Sequence, residues 1–258
     1  MNKAIWLSLA LVSFAIFSHV PIHSQDKIVP ATLELSKLDQ PVAWMQEAKR
    51  NYAVVKDYSC TMVSQENVRG KLLDENIAQM KVKTEPFSVH MRWLAPAKFK
   101  EQEVAFVLGK NNNKMRVKSN MLGNKIIGFM TIDPNDPRVL EHSRHNILEA
   151  GLGNLIDTTL LNWQKERNIN KTEVRIATEY KYNQRECFRI ETVCQQRRPD
   201  AYCYRSVIYL EKNSKLPIRV ENYDWPRNGG SPDGDLLESF SYVNLQFNLG
   251  LKDAEFNK

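Results

Sequence analysis

The sequence has few cysteines and, beyond its N-terminus, no long apolar run. The chain of 258 residues contains four cysteines. None of them forms a CxxC pair, and no histidine spacing completes a zinc-finger pattern, so they do not indicate a metal site. No apolar run after residue 24 reaches the ~20 residues that a membrane-spanning helix needs. The sequence therefore predicts no membrane span beyond its N-terminal segment.

The motifs of the common enzyme classes are also missing. There is no nucleophile elbow, no HExxH helix, no phosphate-binding loop and no Rossmann glycine set. Nor does the chain contain a basic patch interleaved with aromatic residues, which argues against nucleic acid as a partner. The sequence favours a binding protein over an enzyme, and it indicates no cofactor.

The N-terminus has the three-part layout of a secretory signal. Lys3 is the only charge before Asp26, the apolar run extends from Ala4 to Phe17, and Ser24 ends a tolerable cleavage site. An uncleaved membrane anchor is the alternative. We expect a signal peptide over 1–24, a flexible leader over 25–34 and a single β-rich domain over 35–258, in an exported protein that is periplasmic or extracellular.

The charge of the chain is mildly positive and mixed in sign. The formal net charge is +6 at pH 7. A balance of this size is typical of a solvated surface, and it is compatible with weak peripheral contact to anionic lipid headgroups.

The cysteines suggest a disulfide framework if the protein is exported. An even number of cysteines in an oxidising compartment predicts two bonds. Cys194 and Cys203 flank a turn at Pro199-Asp200, so we expect them to close the neck of a hairpin, which leaves Cys60 to pair with Cys187. Four buried free thiols are the alternative.

Strand periodicity is clearest between Pro86 and Pro96. Phe87, Val89, Met91 and Trp93 alternate with polar residues, which predicts a strand with one apolar face. Similar alternation and turn residues predict further strands at about 58–68, 73–84, 102–109, 114–119, 125–132, 174–182, 185–194, 203–212, 216–225 and 236–248. The last one changes phase after Tyr242, which indicates a β-bulge or a turn of the strand around a curved sheet.

Two segments have helical spacing instead. Apolar residues recur every three or four positions over about 41–56 and 147–166. Asn146 and Glu149 form a capping box ahead of the second helix. Gly151 and Gly153 indicate close packing there or a weakened helix start. These helices and strands predict a mainly β, α+β fold: a curved antiparallel sheet, or incomplete β-barrel, with helices covering its concave face.

The inner face of such a sheet is the candidate binding site, because a wide curved sheet leaves a cavity for an apolar ligand. The residues predicted to line it are Phe87, Val89, Met91, Trp93, Val104, Phe106, Leu108, Leu152, Leu155, Ile156 and Trp163, with Met115 and Val117 beside them. The alternative is an ordinary dry core. A separate polar segment, Asp133 to His145, could hold a metal through His142 and His145, but a polar loop that caps the second helix explains it as well.

The chain resembles an uncharacterised family of exported bacterial proteins over nearly all of its mature length. The segments that carry the resemblance are Pro86–Pro96, Glu101–Val107, Asp133–Asn146, Gly151-Leu152, Leu216–Arg219 and Leu236–Tyr242. More distantly, its layout is similar to that of the periplasmic lipoprotein carriers with the LolA-like fold. The resemblance implies an incomplete barrel whose hollow holds acyl chains under a lid of helices.

The function expected from these observations is non-enzymatic binding of a lipid, a lipoprotein acyl chain or another apolar ligand in the cell envelope. The first alternative is an exported interaction or sensor module with a filled core and an envelope protein as partner. The second is an exported enzyme or metal-binding protein that uses the Asp133–His145 segment.

Overall fold

The computed structural model describes residues 38–119 and 128–258, which lie in one compact unit of the chain. The predicted signal peptide, the flexible leader and the first residues of the strand expected at 125–132 lie outside the described residues, so the domain boundaries stay a prediction. Within the described part, no helix has both the length and the apolar character required to cross a membrane.

The described residues form two α-helices and twelve β-strands. The helices are α1 (Asp39–Tyr52) and α2 (Leu152–Ile169). The strands are β1 (Asp57–Val68), β2 (Lys71–Leu72), β3 (Asn76–Lys83), β4 (Ser88–Ala95), β5 (Glu103–Val107), β6 (Met115–Lys118), β7 (Met130–Ile132), β8 (Thr172–Tyr182), β9 (Arg185–Cys194), β10 (Arg205–Glu211), β11 (Pro217–Tyr223) and β12 (Leu236–Phe247).

All strands belong to one antiparallel sheet with the order β7-β6-β5-β4-β3-β1-β12-β11-β10-β9-β8, and β2 pairs with β1 at the side of this path. The first and last strands of the path do not pair, so the sheet is an incomplete barrel. The predicted fold class is therefore confirmed. The short strand β2 was not predicted, because its residues follow Arg69-Gly70 and are typical of a turn.

Both helices place an apolar face against the sheet. In α1 the buried side chains include Val42, Met45 and Ala48, at the spacing that the sequence predicts. Trp44 of the same helix stacks on Phe188 of β9, with ring centroids 4.3 Å apart. In α2 the buried residues are Leu152, Ile156, Thr159 and Trp163.

The second helix begins five residues later than predicted. The side chain of Asn146 accepts a hydrogen bond from the backbone N–H of Leu148 at 2.9 Å, as an N-cap does, but it caps a short 3-10 turn. Gly151 then interrupts the helical path with φ of +95°. The backbone N–H of Leu152 donates to the hydroxyl of Tyr58 at 2.9 Å. The glycines therefore mark close packing, one of the two predicted reasons for their presence.

The predicted phase change in the last strand is a β-bulge. The register between β1 and β12 shifts between Ser59 and Thr61, opposite Val243–Gln246. Asn244 lies in this stretch with φ of +56°, a left-handed conformation that asparagine tolerates well. The bulge lets Tyr242 and Leu245 both be buried.

The close approach at Gly151 predicts that Gly151→Ala destabilises the fold by about 2–4 kcal/mol, since a methyl group combines backbone strain with a steric clash. A Cβ atom at this position would lie 2.5 Å from the hydroxyl oxygen of Tyr58. Urea denaturation measures the loss. Gly109→Ala is the matched control, because Gly109 has φ of +81° and no atom within 4 Å of the added Cβ. The control should lose about 1 kcal/mol; equal losses in the two variants would contradict the packing argument.

Candidate ligand-binding cavity

A cavity of about 520 Å³ lies between the inner face of the sheet, α2 and the loop segment that precedes α2. One wall is apolar and comes mainly from β4, β5, β6 and β7. Cross-strand pairing brings Met91 beside Val104 and Val104 beside Val117. The larger apolar residues that line the cavity include Met62, Met91, Trp93, Val104, Met115, Val117, Met130, Ile132, Leu155, Trp163, Val220 and Phe240.

Five of the eleven predicted lining residues face this cavity: Met91, Trp93, Val104, Leu155 and Trp163. Val89, Phe106, Leu152 and Ile156 are buried in the surrounding core instead, and Phe87 is half-buried against it. These side chains lie on the inner side of the sheet or of α2, but they pack against other core side chains instead of facing the cavity. Whether any of these residues contacts a ligand stays a prediction.

Leu108 does not lie on this cavity, because its side chain is 50% exposed. Strand β5 ends at Val107, and the turn at Gly109 begins directly afterwards. The strict alternation that would point Leu108 inward therefore no longer applies at that position.

The opposite wall is polar, and the buried carboxylate of Glu238 lies at its centre. Its side chain is only 4% exposed. One oxygen, Oε1, accepts from the hydroxyl of Tyr202 at 2.5 Å and from Nδ2 of Asn222 at 2.8 Å. The other, Oε2, accepts from Nε of Arg144 at 3.0 Å and from Nε2 of His145 at 2.8 Å. Four donors therefore satisfy this carboxylate, as a buried charge requires.

The charges in this cluster depend on one another. Burial alone would raise the pKa of Glu238, but the hydrogen bond and charge of His145, together with the bonds from Tyr202 and Asn222, lower it to about 2. Burial would likewise lower the pKa of His145, but Glu238 and Glu149 raise it to about 9. His145 is therefore protonated at neutral pH and donates from both ring nitrogens, with Nδ1 2.7 Å from Glu149.

A second carboxylate, Glu66, lies directly opposite Glu238 across the pair β1–β12. It accepts from the hydroxyl of Ser143 at 3.1 Å and from the backbone N–H of Arg144 at 2.7 Å. Burial raises the pKa of Glu66, and these donors together with His145 offset only part of that rise. Like charges directly opposite each other in a sheet repel. The positive charges of Arg144 and His145, which come from the loop ahead of α2, offset this repulsion between Glu66 and Glu238.

The structure divides the polar segment Asp133–His145 into separate interactions. Asp136 pairs with Arg138, which lowers the pKa of Asp136 to about 2. His142 is exposed and forms a T-shaped contact with the Phe99 ring, whereas His145 belongs to the Glu238 cluster. Over residues 38–119 and 128–258, no group of three or more His, Cys, Asp or Glu side chains is arranged to hold a metal ion.

All four cysteines are free thiols in the structure, so neither predicted disulfide is confirmed. Three strands, β12, β11 and β10, separate Cys60 on β1 from Cys187 on β9. Cys194 and Cys203 both line the cavity, but Cys194 accepts from Arg198 at 3.3 Å, and the thiol of Cys203 is 3.8 Å from Oδ1 of Asn222. Burial raises the pKa of Cys60 and Cys203 to about 12, which disfavours the thiolate form of both.

The sequence-based search for site residues missed Glu66, Glu238 and Asn222. A signal was present in the alternation itself, since Glu66 has the same parity as Met62 on β1 and Glu238 the same as Phe240 and Tyr242 on β12. Polar residues at inward positions are uncommon in a dry core. They therefore indicate a polar part of the interior.

The family model described as a protein of unknown function, DUF1571, matches residues 55–258. The chain belongs to this family. The predicted membership of a family without assigned function is thus confirmed. A comparison with curated proteins finds no match.

Several solved structures are similar to the chain. An uncharacterized conserved protein from Thermus thermophilus is 9% identical, with a TM-score of 0.47 over 85% of this chain and 93% of that chain. The lipoprotein LppX from Mycobacterium tuberculosis is 9% identical, with a TM-score of 0.47 over 83% and 98%. A LolA superfamily protein from Nitrosomonas europaea is 9% identical, with a TM-score of 0.32 over 84% and 96%.

The raised pKa of His145 predicts a pH-dependent stability that His145→Gln removes. A folded-state pKa of about 9, above the ordinary value of 6.5, gives a contribution that is complete below pH 6.5 and is lost as pH rises through about 9. We expect His145→Gln to lower the free energy of unfolding by roughly 2 kcal/mol at pH 6 and by much less at pH 10.

Urea denaturation at pH 6, 8 and 10 measures this difference. His142→Gln is the matched control, because His142 lies on the same segment but is exposed and outside the Glu238 cluster. A His145→Gln variant with the same pH profile as the unmodified protein would show that the buried charge pair contributes nothing.

Proposed function

We propose that the protein binds a lipid, an acyl chain or a similar apolar ligand in its cavity, without catalysing a reaction. The observation that carries the proposal is the cavity of about 520 Å³ whose wall from β4 to β7 consists of methionine, valine, isoleucine and tryptophan side chains. Its volume lies within the range of small-molecule binding sites, which are concave and mostly apolar.

The energetics of such a wall favour a long apolar group. Each buried CH₂ group contributes about 0.8 kcal/mol, so a chain of about twelve carbons gains about 10 kcal/mol before the costs of association. Methionine side chains suit this purpose because they are flexible and adapt to ligands of different shape. Four of the lining residues, Met62, Met91, Met115 and Met130, are of this kind.

The same proposal places the protein in the cell envelope, where such ligands occur. This location is inferred from the charge and apolar pattern of residues 1–24, which is typical of a secretory signal. A lipoprotein or another envelope protein would then be the natural donor or acceptor of the ligand. A sensor with a filled core fits less well. Such a module requires a closely packed interior, whereas the interior of this protein contains the cavity.

The direct experiment is to purify the chain from residue 25 onward, extract it with organic solvent and identify co-purified lipids by mass spectrometry. Binding is then measured in solution by the fluorescence of N-phenyl-1-naphthylamine, a neutral apolar probe. We expect enhanced probe fluorescence that competing fatty acyl compounds reverse. A protein that carries no lipid and does not bind the probe would overturn the proposal.

A variant of the covering helix tests whether the ligand occupies this cavity. Leu155 lines it, so Leu155→Trp reduces its volume, and we expect probe affinity to fall by roughly tenfold or more. Leu161→Trp is the matched control on the same helix, because Leu161 is 53% exposed and does not line the cavity. Thermal melting of both variants verifies that they fold. Equal probe affinities in the two variants would place the binding elsewhere.

A further inference from the structure

The polar wall of the cavity is a continuous cross-strand row. Glu66 of β1 pairs with Glu238 of β12, and Glu238 pairs with Asn222 of β11. Asn222 then pairs with Ser206 of β10, and Ser206 pairs with Thr192 of β9. All five side chains line the cavity. We refer to these five residues as the polar row.

The neighbouring row of side chains on the same face of the sheet is apolar. Two residues further along each strand, the inward positions are Phe240, Val220, Ile208 and Ile190, which also pair with one another across β12, β11, β10 and β9. Phe240 and Val220 line the cavity, so its surface there changes from polar to apolar over one side-chain spacing. A dry core gains nothing from such a border, whereas a ligand with a polar and an apolar end matches it.

The carboxylates of the polar row already have partners within the protein. Glu66 and Glu238 face Arg144 and His145, and both carboxylates accept from several donors. A charged headgroup is not required to neutralise this end of the cavity. An anionic headgroup would in addition meet the carboxylate of Glu66, which burial already disfavours in its charged form.

One polar atom at this end has no partner. Asn76 of β3 is 9% exposed and lines the cavity, and its Oδ1 has no hydrogen-bond partner among the described residues. Its cross-strand neighbour is Ser64 of β1. Ser64 precedes Glu66 by two positions on the same face, so Asn76 lies diagonally next to the polar row. A buried amide oxygen without a donor reduces stability, and a ligand hydroxyl would satisfy it.

We propose that the ligand is an uncharged amphiphile whose headgroup carries hydroxyl groups. Its chain lies along the apolar wall, and a headgroup hydroxyl bonds to the side-chain amide of Asn76 beside the polar row. A hydroxyl suits this amide because it can donate to Oδ1 and also accept from Nδ2. The inference rests on the proposed function and adds the class of ligand.

The test compares three compounds with the same twelve-carbon chain. Monolauroylglycerol is uncharged and carries hydroxyls, methyl laurate is uncharged without a donor, and laurate is anionic. Each displaces N-phenyl-1-naphthylamine from the unmodified protein, from Asn76→Leu and from Asn162→Leu. The second variant is the control, because Asn162 also lines the cavity but belongs to the covering helix α2 and not to the sheet that carries Asn76 and the polar row.

We expect the unmodified protein to bind monolauroylglycerol about fivefold more tightly than methyl laurate, the effect of one neutral hydrogen bond. Laurate should bind more weakly than monolauroylglycerol. In Asn76→Leu the two uncharged compounds should bind equally, with methyl laurate unchanged, while Asn162→Leu keeps the preference. The melting temperature of Asn76→Leu should be equal to or above that of the unmodified protein, because the variant removes an unsatisfied buried group.

Two negative results separate the inference from the proposed function. Equal binding of the uncharged compounds by the unmodified protein, or an unchanged preference in Asn76→Leu, would overturn the headgroup inference while probe binding still supports a lipid-binding cavity. Failure of the probe and of all three compounds to bind would overturn the proposed function itself.

Discussion

An incomplete sheet must bury its inner face, and the architecture of this protein follows from that constraint. The sheet runs from β7 to β8 without the two edges pairing. Its inward side chains therefore need a cover other than the sheet itself, because apolar surface left in water is unfavourable. The helices α1 and α2 supply that cover over one part of the face. Over another part the cover does not touch the sheet, and the cavity lies there.

The buried charge cluster determines where the loop ahead of α2 lies. Arg144 and His145 come from this loop, whereas Glu66 and Glu238 come from two paired strands at the middle of the sheet. Buried ion pairs add little net stability, but removing one partner is costly because it leaves an uncompensated charge. The cluster therefore fixes the position of the loop more than it strengthens the fold. It also keeps the loop next to the polar row.

The sequence allows the fold to be predicted further than the site. The two-residue period at Phe87–Leu94 and the phase change after Tyr242 are local properties, and both correspond to observed structure. The partner of Glu238 cannot be read in this way, because His145 and Tyr202 are distant from it in the chain. Such contacts depend on the order of strands in the sheet, which local periodicity does not determine.

A related reason explains why only some of the predicted lining residues face the cavity. Alternation correctly gives the side of the sheet on which Val89, Phe106 and Met91 lie. It does not give the distance to the covering helix, so it cannot separate core residues from lining residues. Leu152 and Ile156 illustrate the point on α2, since they are fully buried while Leu155 between them faces the cavity.

Contacts near both of its ends set the position of α2 over the cavity. Gly151 admits the hydroxyl of Tyr58, which accepts from the backbone N–H of Leu152 and holds the first turn of α2 against β1. From this fixed point the helix extends along the cavity, where Leu155, Thr159 and Trp163 line it at successive turns. The other end of α2 is held as well, because the carboxylate of Glu166 accepts from the hydroxyl of Thr172 at 2.5 Å and from the guanidinium of Arg198. The helix is therefore fixed near both ends, and the side chains between these contacts determine the volume that a ligand can occupy.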